Sequence, residues 1–332
     1  MSSDAQGIVD FDSYRDLPMQ RLPQSYKSKL RNEVWNLSEN SAGVSISFLS
    51  NTSEMAIKWS LKNDIKMSHM TDVGIKGIDL YRKKVDKWAY LSTGIPSSKD
   101  NKRVFFRGIS RKKRVYRIHL PLYETLTNIQ ICVNNNAEFK SIKSKDLPIV
   151  FYGTSITQGG CASRPGIAHT NIISRHLDLE CINLGFSGNG HLEKSIGKVL
   201  SRIKAKLYVI ECLANVNRKK VQESTIPLIR SIRENSSDQP TPILFFEQCL
   251  TNLHSLDQNY NRELIDKNIE LKKQINLATL DGEKNLYIIK QDGCFDQDSE
   301  PTVDGIHFND LGFHLYAHHF LKFLNELNIL SS

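Results

Sequence analysis

The stretch Pro148-Ile149-Val150-Phe151-Tyr152-Gly153-Thr154-Ser155-Ile156-Thr157-Gln158-Gly159-Gly160 sets the fold. Ile149 to Tyr152 are all large and apolar, with no polar alternation, which describes a strand buried on both faces, as in a parallel sheet. The strand runs into glycines on either side of Ser155. A serine placed there can expose its hydroxyl against backbone that carries no side chain. Taken alone, the same residues also describe a glycine-rich turn with a helix-capping serine.

Downstream the unit repeats as apolar strand, loop and amphipathic helix. Further strands are expected over Cys181 to Leu184, Leu207 to Ile210, Pro242 to Phe246 and Leu286 to Ile289. Helices are expected over His169 to Leu177, Leu192 to Ile203, Thr225 to Glu234, Asn261 to Leu277 and Leu311 to Leu327. Strands alternating with helices predict a three-layer α/β domain around a parallel sheet. Upstream the pattern changes to short alternating runs, Gly43 to Phe48, Met55 to Trp59, Val104 to Phe106 and Asn128 to Val133. Half-buried antiparallel strands alternate in this way, and several of them predict a β-sandwich. Trp35 and Trp59 lie in apolar runs and are expected in the core of that sandwich. The linker falls near Ser141 to Leu147, dividing the chain into residues 1–146 and 147–332.

The chain has 332 residues, 39% hydrophobic and 24% charged, the composition of a folded globular protein with two domains. Its net charge of +8 is uneven: residues 1–147 hold 25 basic and 15 acidic residues, residues 148–332 hold 19 and 21. Lys83, Lys84, Lys87, Arg107 and Arg111 to Arg114 could track an anionic polymer, an acidic polysaccharide before a nucleic acid. A solvated surface is the plainer reading, and no nucleic-acid motif accompanies it. No run reaches the roughly 18 apolar residues of a membrane span, so no membrane partner is expected. Met1 to Gln20 carries Asp4, Asp10, Asp12 and Asp16 and lacks a basic start and an apolar stretch, so a cytoplasmic location is expected. A removed leader would leave the same sequence. The cysteines, Cys132, Cys161, Cys181, Cys212, Cys249 and Cys294, show neither a paired spacing nor a zinc spacing.

In an open α/β sheet, functional groups gather where the strands end. The second strand ends Gly185-Phe186-Ser187-Gly188-Asn189-Gly190 and the third Glu211-Cys212-Leu213-Ala214-Asn215-Val216. Glycine N–H groups and an asparagine amide are donors suited to an oxyanion hole, because they supply positive dipoles without a titratable proton. Near the C-terminus stands Asp304-Gly305-Ile306-His307-Phe308-Asn309-Asp310. An aspartate three residues before a histidine can fix its tautomer and stabilise the imidazolium formed when it takes a hydroxyl proton. Asn309 or Asp310 is expected to cap the last helix.

These blocks carry a family resemblance. Gly153-Thr154-Ser155-Ile156, Phe186-Ser187-Gly188, Ala214-Asn215 and Asp304-x-x-His307 resemble the four ordered blocks of the SGNH (GDSL-like) hydrolases. Gly77-Ile78-Asp79-Leu80-Tyr81, with Cys161 to Gly166, resembles the subgroup in which an N-terminal GxDLY β-sandwich precedes the hydrolase domain. The resemblance implies a flavodoxin-like α/β/α domain after a jelly-roll-like sandwich. It implies Ser155 as nucleophile, His307 as base and Asp304 as its partner. The oxyanion hole would come from the N–H groups of Ser155 and Gly188 and the Asn215 side chain. Two departures stand out: Thr154 replaces the aspartate of Gly-Asp-Ser, and Leu213-Ala214-Asn215-Val216 replaces Gly-x-Asn-Asp. Leu213 cannot adopt the positive φ open to glycine.

A Ser-His-Asp acyl transfer follows from these roles, with no metal or organic cofactor. The residues expected around it are small or polar, and no apolar lid segment is visible. The expectation is therefore an esterase that removes short acyl groups, most simply acetyl, from an acylated small molecule or carbohydrate. Gln158, Arg164 and Asn189 are the expected substrate-binding residues, with a structural salt bridge as the second reading of Arg164. An acyltransferase using the same triad and a non-catalytic carbohydrate-binding protein are the alternatives. The GxDLY segment is expected to pack beside the nucleophile loop.

Overall fold

The computed structural model describes residues 5–9, 16–235, 240–249, 256–295 and 300–329. Asp4, Asp10 and Asp12 of the acidic N-terminus lie outside them. Two antiparallel sheets form the first lobe. One contains β1 (Ala5–Gln6), β2 (Ser45–Ser50), β4 (Ile78–Lys84), β5 (Lys87–Gly94), β7 (Arg114–His119) and β9 (Phe139–Ile142), and the other β3 (Met55–Leu61), β6 (Asp100–Phe106) and β8 (Leu126–Val133). Along β3 the alternate residues Met55, Ile57, Trp59 and Leu61 are buried, the period of two that one buried face imposes. They meet Phe48, Ile78, Leu80, Tyr116 and Ile118 of the facing sheet.

The second lobe is a parallel sheet in the order β11-β10-β12-β13-β14, formed by β10 (Ile149–Gly153), β11 (Cys181–Gly185), β12 (Leu207–Glu211), β13 (Ile243–Phe246) and β14 (Leu286–Ile289). Side chains alternate between its two faces. Val150, Tyr152, Ile210 and Phe245 pack against the helices Arg218–Arg233 and Gln258–Leu280 on one side. Ile149, Phe151, Val209 and Phe246 pack against His169–Leu177 and Asp310–Leu327 on the other. Both faces are covered, which is why these strands read as unbroken apolar runs. The order places β10 between β11 and β12, so three strand ends converge on one corner. No helix among the described residues is long and apolar enough to cross a membrane.

The helix expected from Thr225 starts at Arg218, where the Asn217 side chain accepts from the Lys220 N–H at 2.9 Å. Its first turns, Arg218-Lys219-Lys220, are too polar to show an apolar stripe. Trp35 also differs from expectation. It packs with Leu22, Tyr26 and Val34 into the core of the α/β lobe, whereas Trp59 sits inside the sandwich. The segment before β2 thus closes the second lobe's helical face. Arg21 locks it there: the fully buried guanidinium donates to the carbonyls of Leu37, Asn40, Asn183 and Gly185 at 2.6–2.9 Å. Several basic residues of the first half also have partners within the protein. Lys76 lies 2.7 Å from Asp64, and Lys83 and Arg117 both pair with Asp178.

Candidate active site

Ser155 opens a four-residue helix directly after β10. Thr154 caps that helix: its hydroxyl accepts from the Ile156 N–H, and its own N–H donates to the Thr157 hydroxyl at 3.2 Å. The threonine that replaces the family's aspartate therefore has a complete local role. Thr157 in turn donates to Glu211 Oε2 at 2.7 Å, and His169 and Tyr316 approach the same carboxylate at 3.0 and 3.2 Å. This buried network anchors the nucleophile turn to the end of β12. Gly153 is required by space, because a Cβ there would lie 1.9 Å from the Thr157 hydroxyl.

The structure brings the three residues of the expected triad together. Ser155 Oγ lies 2.9 Å from His307 Nε2, and His307 Nδ1 lies 2.7 Å from Asp304 Oδ2. Asp304 Oδ1 accepts from the N–H groups of Ile306 and His307 at 3.0 and 2.8 Å. Partial burial pushes the Asp304 carboxyl up, but the His307 and Ile306 hydrogen bonds together outweigh it and hold the carboxyl below its ordinary value. It is therefore a charged acceptor for the His307 ring. Asn309, not Asp310, caps the last helix by accepting from Gly312 N–H at 3.0 Å. Asp310 instead accepts from the Ser163 N–H and hydroxyl at 2.9 and 2.6 Å, tying the histidine loop to the nucleophile loop.

Gly188 and Asn215 stand at the ends of the two neighbouring strands. Gly188 has φ +66, and no atom lies within 4 Å of where its Cβ would be. Left-handed backbone, not crowding, is what favours glycine there. The Asn215 amide is best oriented with Oδ1 accepting from the Asn189 and Gly190 N–H groups, at 3.0 and 3.2 Å. That orientation fixes the Gly188 loop and leaves the NH₂ end of Asn215 available as a donor. Leu213–Asn215 form a 3-10 turn, and Leu213 is not among the residues with positive φ. The leucine is thus accommodated without a glycine conformation. The turn is held from below by buried Lys267, which donates to the Leu213 carbonyl at 3.1 Å.

The three residues expected to touch substrate are engaged elsewhere. Gln158 is fully buried: its Nε2 donates to the Leu122 carbonyl at 3.2 Å and its Oε1 accepts from the Ser187 N–H at 3.0 Å. It ties the Gly188 loop to the first lobe. Asn189 donates to the Ser187 carbonyl at 2.9 Å and accepts from Arg31 at 2.8 Å, so both ends of its amide brace its own loop. Arg164 donates to Asp79 Oδ2 at 2.7 Å and to the Tyr81 hydroxyl at 2.6 Å, and its guanidinium lies 4.0 Å from the Tyr90 ring centre. The structural salt bridge is the role its contacts give. Asp79 also accepts from the Gly166 N–H at 2.7 Å and the Thr93 hydroxyl at 2.6 Å, so the GxDLY segment packs on the nucleophile loop.

Sequence reading missed several residues around the site. Tyr123 of the first lobe donates to the Ser155 carbonyl at 3.2 Å, and burial raises its pKa, so it remains a donor. Arg31 bridges Asn189 and Glu193, 2.6 Å from the latter's carboxylate. The His69 ring centre lies 5.3 Å from that of His307. Each reaches the site from far along the chain, and no local pattern marks it. A pocket of about 40 Å³ opens against Thr154 and Ile156, the two neighbours of Ser155, and its other walls are both apolar and charged, among them Leu213, Phe308, Glu211 and Glu247.

The profile of the GDSL-like lipase/acylhydrolase family matches residues 146–325, and residues 7–139 match the GxDLY N-terminus of SGNH-hydrolase-type esterases. The chain belongs to the GDSL-like lipase/acylhydrolase family, whose members are generally esterases and acylhydrolases. Its structure is similar to that of a GDSL-like lipase from Bacteroides ovatus ATCC 8483, with 29% identity, a TM-score of 0.92, and 99% of this chain and 97% of that one covered. It shares its fold with the salicylyl-acyltransferase SsfX3 from a tetracycline biosynthetic pathway (16% identity, TM-score 0.80, covering 98% and 95%). It also shares the fold of a family two carbohydrate esterase from Clostridium thermocellum (13% identity, TM-score 0.60, covering 86% and 93%). No curated protein matches the sequence significantly.

Proposed function

We propose that the protein is a serine esterase that removes short acyl groups, acetyl foremost, from a polar, carbohydrate-like alcohol. The observation that carries this is the aligned contact from Ser155 Oγ through His307 to Asp304, at 2.9 and 2.7 Å. In this mechanism His307 Nε2 takes the Ser155 proton as Oγ attacks the ester carbonyl. Asp304 holds the Nδ1 proton and stabilises the imidazolium. The Ser155 and Gly188 N–H groups and the Asn215 NH₂ receive the developing oxyanion, each such donor being worth about 3–4 kcal/mol of barrier. The imidazolium then protonates the departing alcohol. Water, deprotonated by His307, hydrolyses the acyl-enzyme and restores Ser155.

The fold shared with a carbohydrate esterase makes acetylated sugars the first natural esters to test. The decisive experiment compares p-nitrophenyl acetate and butyrate hydrolysis by the wild type and Ser155→Ala. Turnover that prefers acetate and is lost in the variant is the expected result. Equal inactivity of both proteins towards the aryl esters and acetylated sugars would overturn the reading.

A further inference from the structure

We propose that the mouth of this active site is also a zinc-class metal site, formed by His69, Cys161 and His307, and that the bound ion reversibly inhibits the hydrolase. The inhibitory part rests on the function proposed above. The binding part does not. One donor atom from each of the three side chains lies within 4.8 Å of the other two. The first lobe contributes His69, the nucleophile loop Cys161 and the C-terminal loop His307. No spacing in the sequence links positions so far apart, and only the packing of the two lobes brings them together.

The donor set selects the ion. Two imidazoles and a thiolate suit zinc and related borderline-soft ions, whereas magnesium and calcium require oxygen ligands. Tetrahedral zinc, with bonds of about 2.0–2.3 Å, places its ligands roughly 3.3–3.8 Å apart, so the most widely separated of these groups need close by no more than about 1–1.5 Å. His69 is exposed and has room to move. His307 is already oriented for the task. Its Nδ1 faces Asp304 at 2.7 Å, the carboxylate–histidine arrangement that supports metal-bound imidazoles.

The same geometry makes the ion an inhibitor. With Nδ1 engaged by Asp304, Nε2 is the nitrogen left to bind metal, and it is the atom 2.9 Å from Ser155 Oγ. One lone pair cannot hold the ion and accept the serine proton together. Binding transfers the Cys161 thiol proton to solvent, forms one sulfur and two nitrogen bonds to the ion, and changes no oxidation state.

The test titrates the metal-free full chain with Zn²⁺ by calorimetry, and with Co²⁺ while following thiolate-to-cobalt charge-transfer absorption. One ion per chain is expected, with the absorption lost in Cys161→Ser and the affinity at least about tenfold weaker in His69→Ala. Zinc should inhibit ester turnover by the wild type, reversibly on chelation, and inhibit His69→Ala at least about tenfold less, each protein being compared with its own metal-free rate. If buried Cys161→Ser fails to fold, exposed His69→Ala decides alone. Absence of zinc binding, or equal affinity in wild type and His69→Ala, overturns the site. Metal-free protein without turnover would count against the esterase reading and leave the calorimetric result standing, whereas turnover indifferent to zinc would count against the inhibition alone.

Discussion

The Tyr123 hydroxyl, carried by the first lobe, donates at 3.2 Å to the carbonyl of Ser155, the residue that presents the nucleophile in the second. That carbonyl also accepts from the Gly159 and Gly160 N–H groups, at 3.0 and 2.7 Å. It therefore stays satisfied without the tyrosine. Tyr123→Phe should lower stability by only about 0.5–1.5 kcal/mol, the net value of an ordinary hydrogen bond. A few-fold fall in kcat with little change in KM is expected, because the nucleophile turn loses a brace and no substrate contact. Urea denaturation beside steady-state kinetics checks both effects. A kcat loss of many orders of magnitude would show that the tyrosine takes part in the reaction directly.

Asn215 combines two roles that one substitution can separate. Its Oδ1 holds the Asn189 and Gly190 N–H groups, and its NH₂ end is the proposed oxyanion donor. Asn215→Asp keeps the acceptor and removes the donor. The expected outcome is a kcat lower by about 10²–10³ with the melting temperature nearly unchanged. Asn215→Ala should lose both loop anchorage and rate. If the aspartate variant turned over at the wild-type rate, the proposed donor role would be wrong.

The parallel sheet is legible in the sequence because both of its faces are covered, so Ile149 to Tyr152 and Leu207 to Ile210 appear as unbroken apolar runs. The pairing of Asp304 with His307 is legible because the two lie three residues apart. The work of Gln158 and Asn189 is not. A small amide near a nucleophile reads the same whether it faces a cleft or neighbouring backbone, and here both amides are turned to backbone and loop partners. Arg21 and Arg31 are hidden for another reason. Their partners, Asn183 and Glu193, come from the other lobe, so only the assembled fold shows that these arginines brace the second strand's end and the loop beyond it.

The Asp79–Arg164 pair provides a test of how the lobes are joined. Asp79 is fully buried and lies 2.7 Å from the guanidinium. Arg164→Ala would leave that carboxylate with the Gly166 N–H, the Thr93 hydroxyl and the more distant charge of Arg175, and the loss of one partner from a buried pair costs up to about 3–5 kcal/mol. Arg164→Lys should recover only part of this, because an ammonium cannot reproduce the planar fork that reaches Asp79 and Tyr81 while lying over Tyr90. Chemical denaturation of the two variants checks the order. If Arg164→Ala raised KM alone, with stability intact, the arginine would be a substrate ligand after all.

His119 should make the lobe junction sensitive to acid. The ring is buried at the end of β7, 3.2 Å from Arg175 through Nε2 and edge-on to Tyr81. Burial, followed by the charges of Arg175, Arg117 and Arg164, holds its pKa well below the ordinary histidine value, so it is neutral in the folded protein. In the unfolded chain the same ring titrates near about 6.5. Above that pH neither state binds the proton and His119 adds no pH dependence. As the pH falls from there toward the folded-state value, the unfolded chain gains a proton that the folded protein refuses. Stability should then drop by up to about 1.4 kcal/mol per pH unit from this residue. His119→Gln should flatten the stability profile by that amount between about pH 6 and 5, whatever its effect at pH 8. Equal slopes for wild type and variant would mean that His119 accepts its proton in the folded state.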